Sequence, residues 1–392
     1  MNFMIILLGC LSGLGVLSNN IILPSFESIS KFFEIPTSQL SWMLNSFFIT
    51  FAFIQLLIGP ISDKYGRKYL LVAGLLIFAM GSFLCSISQS YNILIAGRII
   101  QAIGAAIPFV LAKAVARDLY DGESLIKALS AIMIVTAAAP GFSPLLGAYI
   151  ESISSWRGIF NTLTIISSLL FLFMLFSFKE TKKFTKRNSQ KDFIYIYIDL
   201  IKDKYFLLPS LSLAFLMGSL YVLFVTSPLI LEDEFSLTHL EMGLFFAKTV
   251  FIVFISGFLS PKIAHKIGMN KTIYLGFTLI IFGGITLLVL YNFNLLNLIV
   301  YYLPISLFLF GFGLVNSVAT AKLLHKFKET SGTASSLLGF LQMIFSSFCV
   351  FVALLKIQYS YIVHLGILFI IINIFALLFF YWELKIINKK SI

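Results

Sequence analysis

The segment Gly59-Pro60-Ile61-Ser62-Asp63-Lys64-Tyr65-Gly66-Arg67-Lys68 joins two apolar runs, residues 41–61 and 69–89. Each run has about the 20 residues that an α-helix needs to cross the hydrocarbon of a bilayer, so this polar joint reads as a tight loop between two spanning helices. Ten more runs of the same kind can be read, at 3–23, 93–115, 125–149, 158–178, 206–230, 240–260, 272–291, 295–321, 333–355 and 360–382. Backbone N–H and C=O groups find no water in hydrocarbon, which leaves helix as the form that such runs can take. The expected fold is an all-α membrane protein with twelve transmembrane helices.

Composition supports this. Of 392 residues, 59% are hydrophobic and 11% charged, with a mean hydropathy of +0.99, too few polar side chains to cover a soluble globule of this size. A soluble enzyme is excluded. The net charge of +11 does not point to nucleic acid, because no soluble module is left to carry a basic face. The cations are instead sorted by loop. Lys64, Arg67, Lys68, Lys113, Arg117, Lys127, the run from Lys179 to Lys204, Lys262, Lys266, Lys271, Lys322, Lys326, Lys328, Lys385, Lys389 and Lys390 fall on one set of alternate loops and helix ends. The other set holds Lys31, Arg157 and Lys356 together with acids such as Glu27, Glu151, Glu234 and Glu241. The positive-inside rule then places both termini in the cytoplasm of a multi-pass protein of the bacterial inner membrane. Leu7-Leu8-Gly9-Cys10 looks like a lipoprotein cleavage site, but no basic segment precedes it and the apolar stretch before the cysteine is too short. The first run is read as a retained helix, and Cys10, Cys85 and Cys349, which lack paired spacing, as packing residues.

The polar stretch Lys179–Lys204 predicts three parts: a six-helix bundle over 1–180, a cytoplasmic linker over 181–205, and a second six-helix bundle over 206–392. The halves echo each other. Gly257-Phe258-Leu259-Ser260-Pro261-Lys262, ending in Gly268-Met269-Asn270-Lys271, stands in the second half where the joint at Gly59–Lys68 stands in the first. Internal duplication of a helical bundle is a mark of transporters, in which two halves rock about a central cavity.

The joint also resembles the signature between helices two and three of the major facilitator superfamily. Its glycines allow a tight turn and close helix approach, Asp63 can face a helix N-terminus, and Arg67 can pair with an acid; together with Lys68, Arg117 and Asp118 they are expected to latch the halves on the cytoplasmic side. Arg98-Ile99-Ile100-Gln101-Ala102-Ile103-Gly104 resembles the fourth-helix signature of the drug-exporting branch, and Ala116-Arg117-Asp118-Leu119-Tyr120 the end of that helix. With Leu17-Ser18-Asn19-Asn20-Ile21-Ile22-Leu23-Pro24 and Ser143-Pro144-Leu145-Leu146-Gly147, the first 180 residues are similar to the Bcr/CflA group of bacterial efflux transporters. That resemblance implies export of small molecules in exchange for protons. Two departures stand out. Asn20 occupies the place of the group's usual acid, and Ser143 and Ala148 replace favoured glycines, although Pro140, Gly141, Pro144 and Gly147 still make a deformable helix.

No Asp or Glu falls mid-span, whereas Arg98 and Lys248 lie about 8 Å and about 12 Å in from the outer ends of their helices at 1.5 Å per residue. A charge inside the membrane is costly and marks a functional candidate. Gln101 is one turn from Arg98 on the same face. Arg98 can instead snorkel to the outer interface or bond a neighbouring helix, and Lys248 can pair with Glu241. A buried lysine can also carry protons. Asn19, Asn20, Asn45, Gln55, Tyr221, Asn316 and Gln342 complete a polar lining, each equally able to bridge helices. His239, His265, His325 and His364 show no metal-ligand spacing, and no phosphate loop ending in Lys-Ser/Thr is present.

The resulting expectation is a monomeric secondary transporter without cofactor, working by alternating access on small molecules, with protons and the lipid bilayer as its other partners. Two cations and no acid favour an anionic cargo. A multidrug exporter, an exporter of a carboxylate metabolite or siderophore, and a non-transporting membrane sensor or assembly protein all remain compatible with the sequence.

Overall fold

Where the sequence runs apolar the chain is helical, and no strand occurs among the described residues. The computed structural model describes residues 3–181, 191–327, 330–355 and 360–390. The side chain of Asp63, Lys328, Lys356 and residues 182–190 of the expected linker lie outside the described residues. Eleven helices are long and apolar enough to cross a membrane, twelve if one bent helix is taken as a single span.

By contacts the chain divides into two compact units, residues 1–190 with 238–247 and residues 191–237 with 248–392. The first contains α1 (Phe3–Asn20), a short α2 (Phe26–Phe33), α3 (Leu40–Tyr65), α4 (Arg67–Ser86), α5 (Tyr91–Leu119), α6 (Gly122–Ile153) and α7 (Trp156–Ser177). The second contains α8 (Lys191–Lys202), α9 (Lys204–Asp233), most of α10 (His239–Ile267), α11 (Met269–Asn292), α12 (Leu298–Lys326), α13 (Ser331–Ala353) and α14 (Tyr361–Lys390).

In the first unit α4 packs against α5 and α7, and α5 also against α1 and α3. Apolar burial gives little drive between helices already in lipid, so packing relies on close backbone approach at small residues. Gly74, Gly81, Gly97 and Gly104 supply it: a Cβ at Gly97 would lie 2.6 Å from Cys85 Sγ, one at Gly74 2.7 Å from Ile107 Cβ, and those at Gly81 and Gly104 would overlap the backbones of Gln101 and Phe78. The second unit packs α11 against α12 and α9 against α13 and α14. There a Cβ at Gly276 would meet Val315 Cγ2 at 2.5 Å and one at Gly283 the Pro304 carbonyl at 2.8 Å, while one at Gly311 would overlap the Gly276 carbonyl.

The two joints fold alike. Gly66 (φ 90°, ψ 168°) and Gly268 (φ 90°, ψ 150°) adopt a conformation open to glycine and costly to other residues. Gly59 plays no such part: a Cβ there would meet open space, so the close approach expected of it is absent. Helix α6 bends by 41° between Thr136 and Ala138, one turn ahead of Pro140, whose ring crowds the Thr136 carbonyl and offers it no N–H. Gly141 is buried just beyond the bend. At Gly147 a Cβ would overlap the Ile21 carbonyl, so this glycine lets α6 close on the chain that leaves α1. Cys85 and Cys349 are buried as expected of packing residues, but Cys10 is exposed. His265 and His325 sit in the last turns of α10 and α12.

Candidate functional site

Helix α5 starts after Ser90, whose Oγ accepts from the Ile93 N–H, and its glycines draw it onto α4. This places Arg98 fully inside the first unit, with no exposed surface. Its guanidinium donates to the Ser18 carbonyl at 3.2 Å, Asn19 Oδ1 at 2.7 Å, Gln101 Oε1 at 2.5 Å and the Met43 carbonyl at 3.5 Å. The Phe47 ring lies 4.5 Å from the guanidinium carbon. Gln101, also fully buried, passes the network on by donating to Ser82 Oγ at 2.8 Å. Three helices, α1, α3 and α5, thus meet at one cation, with α4 joined through Gln101, and none of the groups bonded to the guanidinium is a carboxylate. Neutral oxygens and a ring face satisfy hydrogen bonds without cancelling the charge. Snorkelling to the outer interface is ruled out by this burial.

The other expected cavity residues do not all join the network. Asn20 turns back on its own helix, donating to the Val16 carbonyl at 2.7 Å, and its Oδ1 is buried without a partner. Asn45 Oδ1 and Gln55 Nε2 are likewise buried and unpartnered. Tyr221 is buried in the second unit, and Asn316 and Gln342 are half-buried. Lys248 departs furthest from expectation: it is exposed on α10, in line with exposed Leu244, Phe251 and Ile255. The expected pairing with Glu241 is replaced by a capping box, in which Glu241 Oε2 accepts from Thr238 N and Thr238 Oγ1, both at 2.8 Å.

A second cluster gathers at the Gly66 turn. Arg67 Nε donates to Asp118 Oδ2 at 3.0 Å and its Nη1 to Ser62 Oγ, which ties α3 and α4 to the end of α5. The N-terminus of α4 is held by Glu180, which the sequence reading missed. Its Oε1 accepts from Arg67 N at 2.9 Å and its Oε2 from Lys68 N at 3.1 Å, while Thr181 Oγ1 reaches Asp118 at 3.3 Å. An anion at a helix N-terminus meets unpaired N–H groups and the positive end of the dipole. The Arg67–Asp118 pair and Lys68 therefore work inside the first unit, and Arg117 beside them is exposed. Glu151 was read as an ordinary loop acid. Its side chain is nearly buried, accepts from Ser25 Oγ, and lies 3.7 Å from His239 Nδ1.

The sequence model of the Major Facilitator Superfamily matches residues 6–350. The chain belongs to this superfamily. Members of the major facilitator superfamily are transporters, not enzymes, and the multi-pass membrane placement follows. A bicyclomycin resistance protein homolog of Haemophilus influenzae is 27% identical over 339 residues, covering 86% of this chain and 84% of that protein. The multidrug resistance protein MdtL of Escherichia coli is 28% identical over 320 residues, 81% of this chain and 79% of its own length. Among solved structures, a D-xylose-proton symporter superposes with a TM-score of 0.74 at 17% identity, over 95% of this chain and 97% of that one, which establishes the shared major facilitator fold.

Proposed function

We propose that this transporter exports small molecules from the cytoplasm across the bacterial inner membrane by alternating access, as a monomer with both termini cytoplasmic, and that it favours cargo bearing an acidic group. The observation that carries the reading is the Arg98 guanidinium, buried among neutral acceptors and unmatched by a carboxylate. Resistance-named relatives support efflux, and the cation supports attraction of an anion over the lipophilic cations that a negatively lined site would select. Gln101, Asn20 and Asn45 of the first unit and Tyr221, Asn316 and Gln342 of the second are the proposed polar contacts for cargo; Lys248, exposed in line with Leu244, Phe251 and Ile255, is not among them. The Gly66 turn with Arg67, Lys68, Arg117, Asp118 and the neighbouring Asp63, and the bend of α6 at Pro140, Gly141, Pro144 and Gly147, are the proposed moving or latching parts. Proton exchange drives the cycle in this reading, without the acid that Asn20 replaces.

Everted vesicles loaded with the transporter test all of this together. Uptake of acidic compounds should exceed that of cationic ones, require an imposed pH gradient, and fall at least tenfold in Arg98→Lys, which keeps the charge but not the planar fork. Lys248→Ala, on an exposed side chain, is the control. Uptake indifferent to substrate charge and to Arg98→Lys would overturn the proposal.

A further inference from the structure

The helix that carries Arg98 carries a second cation. Lys113 is half-buried near the Leu119 end of α5, about 22 Å from Arg98 along the axis at 1.5 Å per residue. A lysine that snorkels runs outward to water. Lys113 turns the other way: its Nζ lies 4.7 Å from the centre of the Phe109 ring, one turn deeper in the helix. Among the described residues it meets no carboxylate within ion-pair distance, and Arg117, one turn on, adds a like charge.

The two cations are the ends of one ladder of rings, all of it inside the first unit. Phe109 meets Phe51 of α3 edge-on with centroids 5.2 Å apart. Phe51 stacks on Phe47 at 5.8 Å, and Phe47 lies 4.5 Å from the Arg98 guanidinium carbon. Gly15 of α1 makes room for the middle rung, since a Cβ there would lie 3.0 Å from Phe51 Cε2. Exposure fades along the ladder: Phe109 is half-buried like Lys113, Phe51 and Phe47 are 3% exposed, and Arg98 is closed. The inner rings are therefore covered by protein and not turned to lipid, and the ladder is open only at Lys113.

A ring face holds a cation through its quadrupole but leaves the charge uncancelled. An anion that reaches Lys113 gains a charge-assisted bond without displacing a carboxylate. The rings set a second demand, because aromatic pairs attract beyond what their buried area supplies, which favours a flat π system over a saturated body of the same size. We propose that Lys113 and Phe109 form the entry contact for cargo, that the ladder leads from there to Arg98, and that the cargo class is an aryl acid, a carboxylate or sulfonate borne on a planar ring system. This rests on the acidic-cargo reading above, in which the Leu119 end of α5 faces the cytoplasm, and adds to it the aromatic body and Lys113.

The test follows uptake of labelled naphthalene-2-sulfonate, a permanent anion, into everted vesicles carrying the full chain. Decahydronaphthalene-2-sulfonate, of the same charge and similar size without the π system, should compete several-fold less well than unlabelled naphthalene-2-sulfonate, and N-methylquinolinium, a planar cation, least of all. Lys113→Gln should raise the half-saturating concentration several-fold with little change in maximal rate, and Lys113→Arg should restore it. Phe51→Leu should bring the two sulfonates to near equality; Phe109→Leu, at a half-exposed ring, serves if that variant fails to fold. Equal competition by the two sulfonates, both ahead of the cation, would overturn the aryl assignment and leave the acidic-cargo reading standing. A cation that competes as well as either sulfonate would defeat both. An unchanged half-saturating concentration in Lys113→Gln, or no uptake or binding of naphthalene-2-sulfonate by the unaltered protein, would also overturn the proposal.

Discussion

The helix pair α4 and α5 in the first unit and the pair α11 and α12 in the second are built to one plan and finished differently. Both joints turn on a glycine at φ 90°, Gly66 and Gly268. Both pairs cross through glycines, Gly74, Gly81 and Gly104 in one and Gly276, Gly283 and Gly311 in the other. Setting Gly104 against Gly311, the position of Arg98 falls on Ile305 and that of Gln101 on Phe308. Ile305 and Phe308 are fully buried, and Phe308 stacks on Phe369 of α14 with ring centroids 3.9 Å apart. The same crossing therefore holds a cation network in one unit and an apolar stack in the other. Duplication repeats the scaffold, and side chains at two positions decide which copy carries charge.

The shared scaffold should be the hardest part to alter. Gly104→Val and Gly311→Val each drive a branched side chain into facing backbone, and each should cost more than about 3 kcal/mol. Size-exclusion profiles after mild solubilisation should show loss of the monodisperse peak in both; survival of one variant would break the equivalence of the two crossings. The chemical difference comes next. Arg98→Ile strands the acceptors on Asn19 and Gln101 in the interior and should cost about 3 kcal/mol. Arg98→Ile with Gln101→Phe copies the second unit, and should be less destabilised than the two single variants together by about 1 kcal/mol, read from thermal unfolding in one detergent. Strict additivity would show that the two positions do not act as a pair.

Smaller effects separate the helix-end acids. Glu180→Gln removes the anion at the start of α4 and should cost about 0.5–1 kcal/mol, with faster hydrogen exchange at the Arg67 and Lys68 amides. Exchange unchanged at those amides would show that Glu180 does not hold the turn. The smallest effect is expected at Lys248→Ala, which should leave the unfolding midpoint unchanged, because its side chain lies on an exposed stripe of α10.

The apolar runs and the Gly66 joint were legible in the sequence because hydrocarbon imposes a length and turns impose a residue type. Arg98 and Gln101 were legible as a pair through helical spacing. Their partners were not. Depth along a helix left Arg98 free to snorkel, and only the packing of α1 and α3 onto α5 brings the Ser18 and Met43 carbonyls to the guanidinium. Lys248 was misread as interior because α10 is apolar on every side, so hydropathy could not say which face is covered. Its true face emerges from Leu244, Phe251 and Ile255, which share its exposure. Glu180 escaped notice since a residue following α7 reaches the α4 N-terminus only through the tertiary fold. Glu151 escaped because an acid at the end of an apolar run looks the same whether or not a serine and a histidine await it.

The bend in α6 has an energetic corollary. With no N–H at Pro140 the Thr136 carbonyl has no helical donor, and Pro144 likewise deprives the Pro140 carbonyl, so successive rungs on one side are already missing. Straightening or sharpening the helix at that level strains fewer backbone hydrogen bonds than it would in an uninterrupted helix, and more of the resistance to such a swing falls to side chains packed against their neighbours.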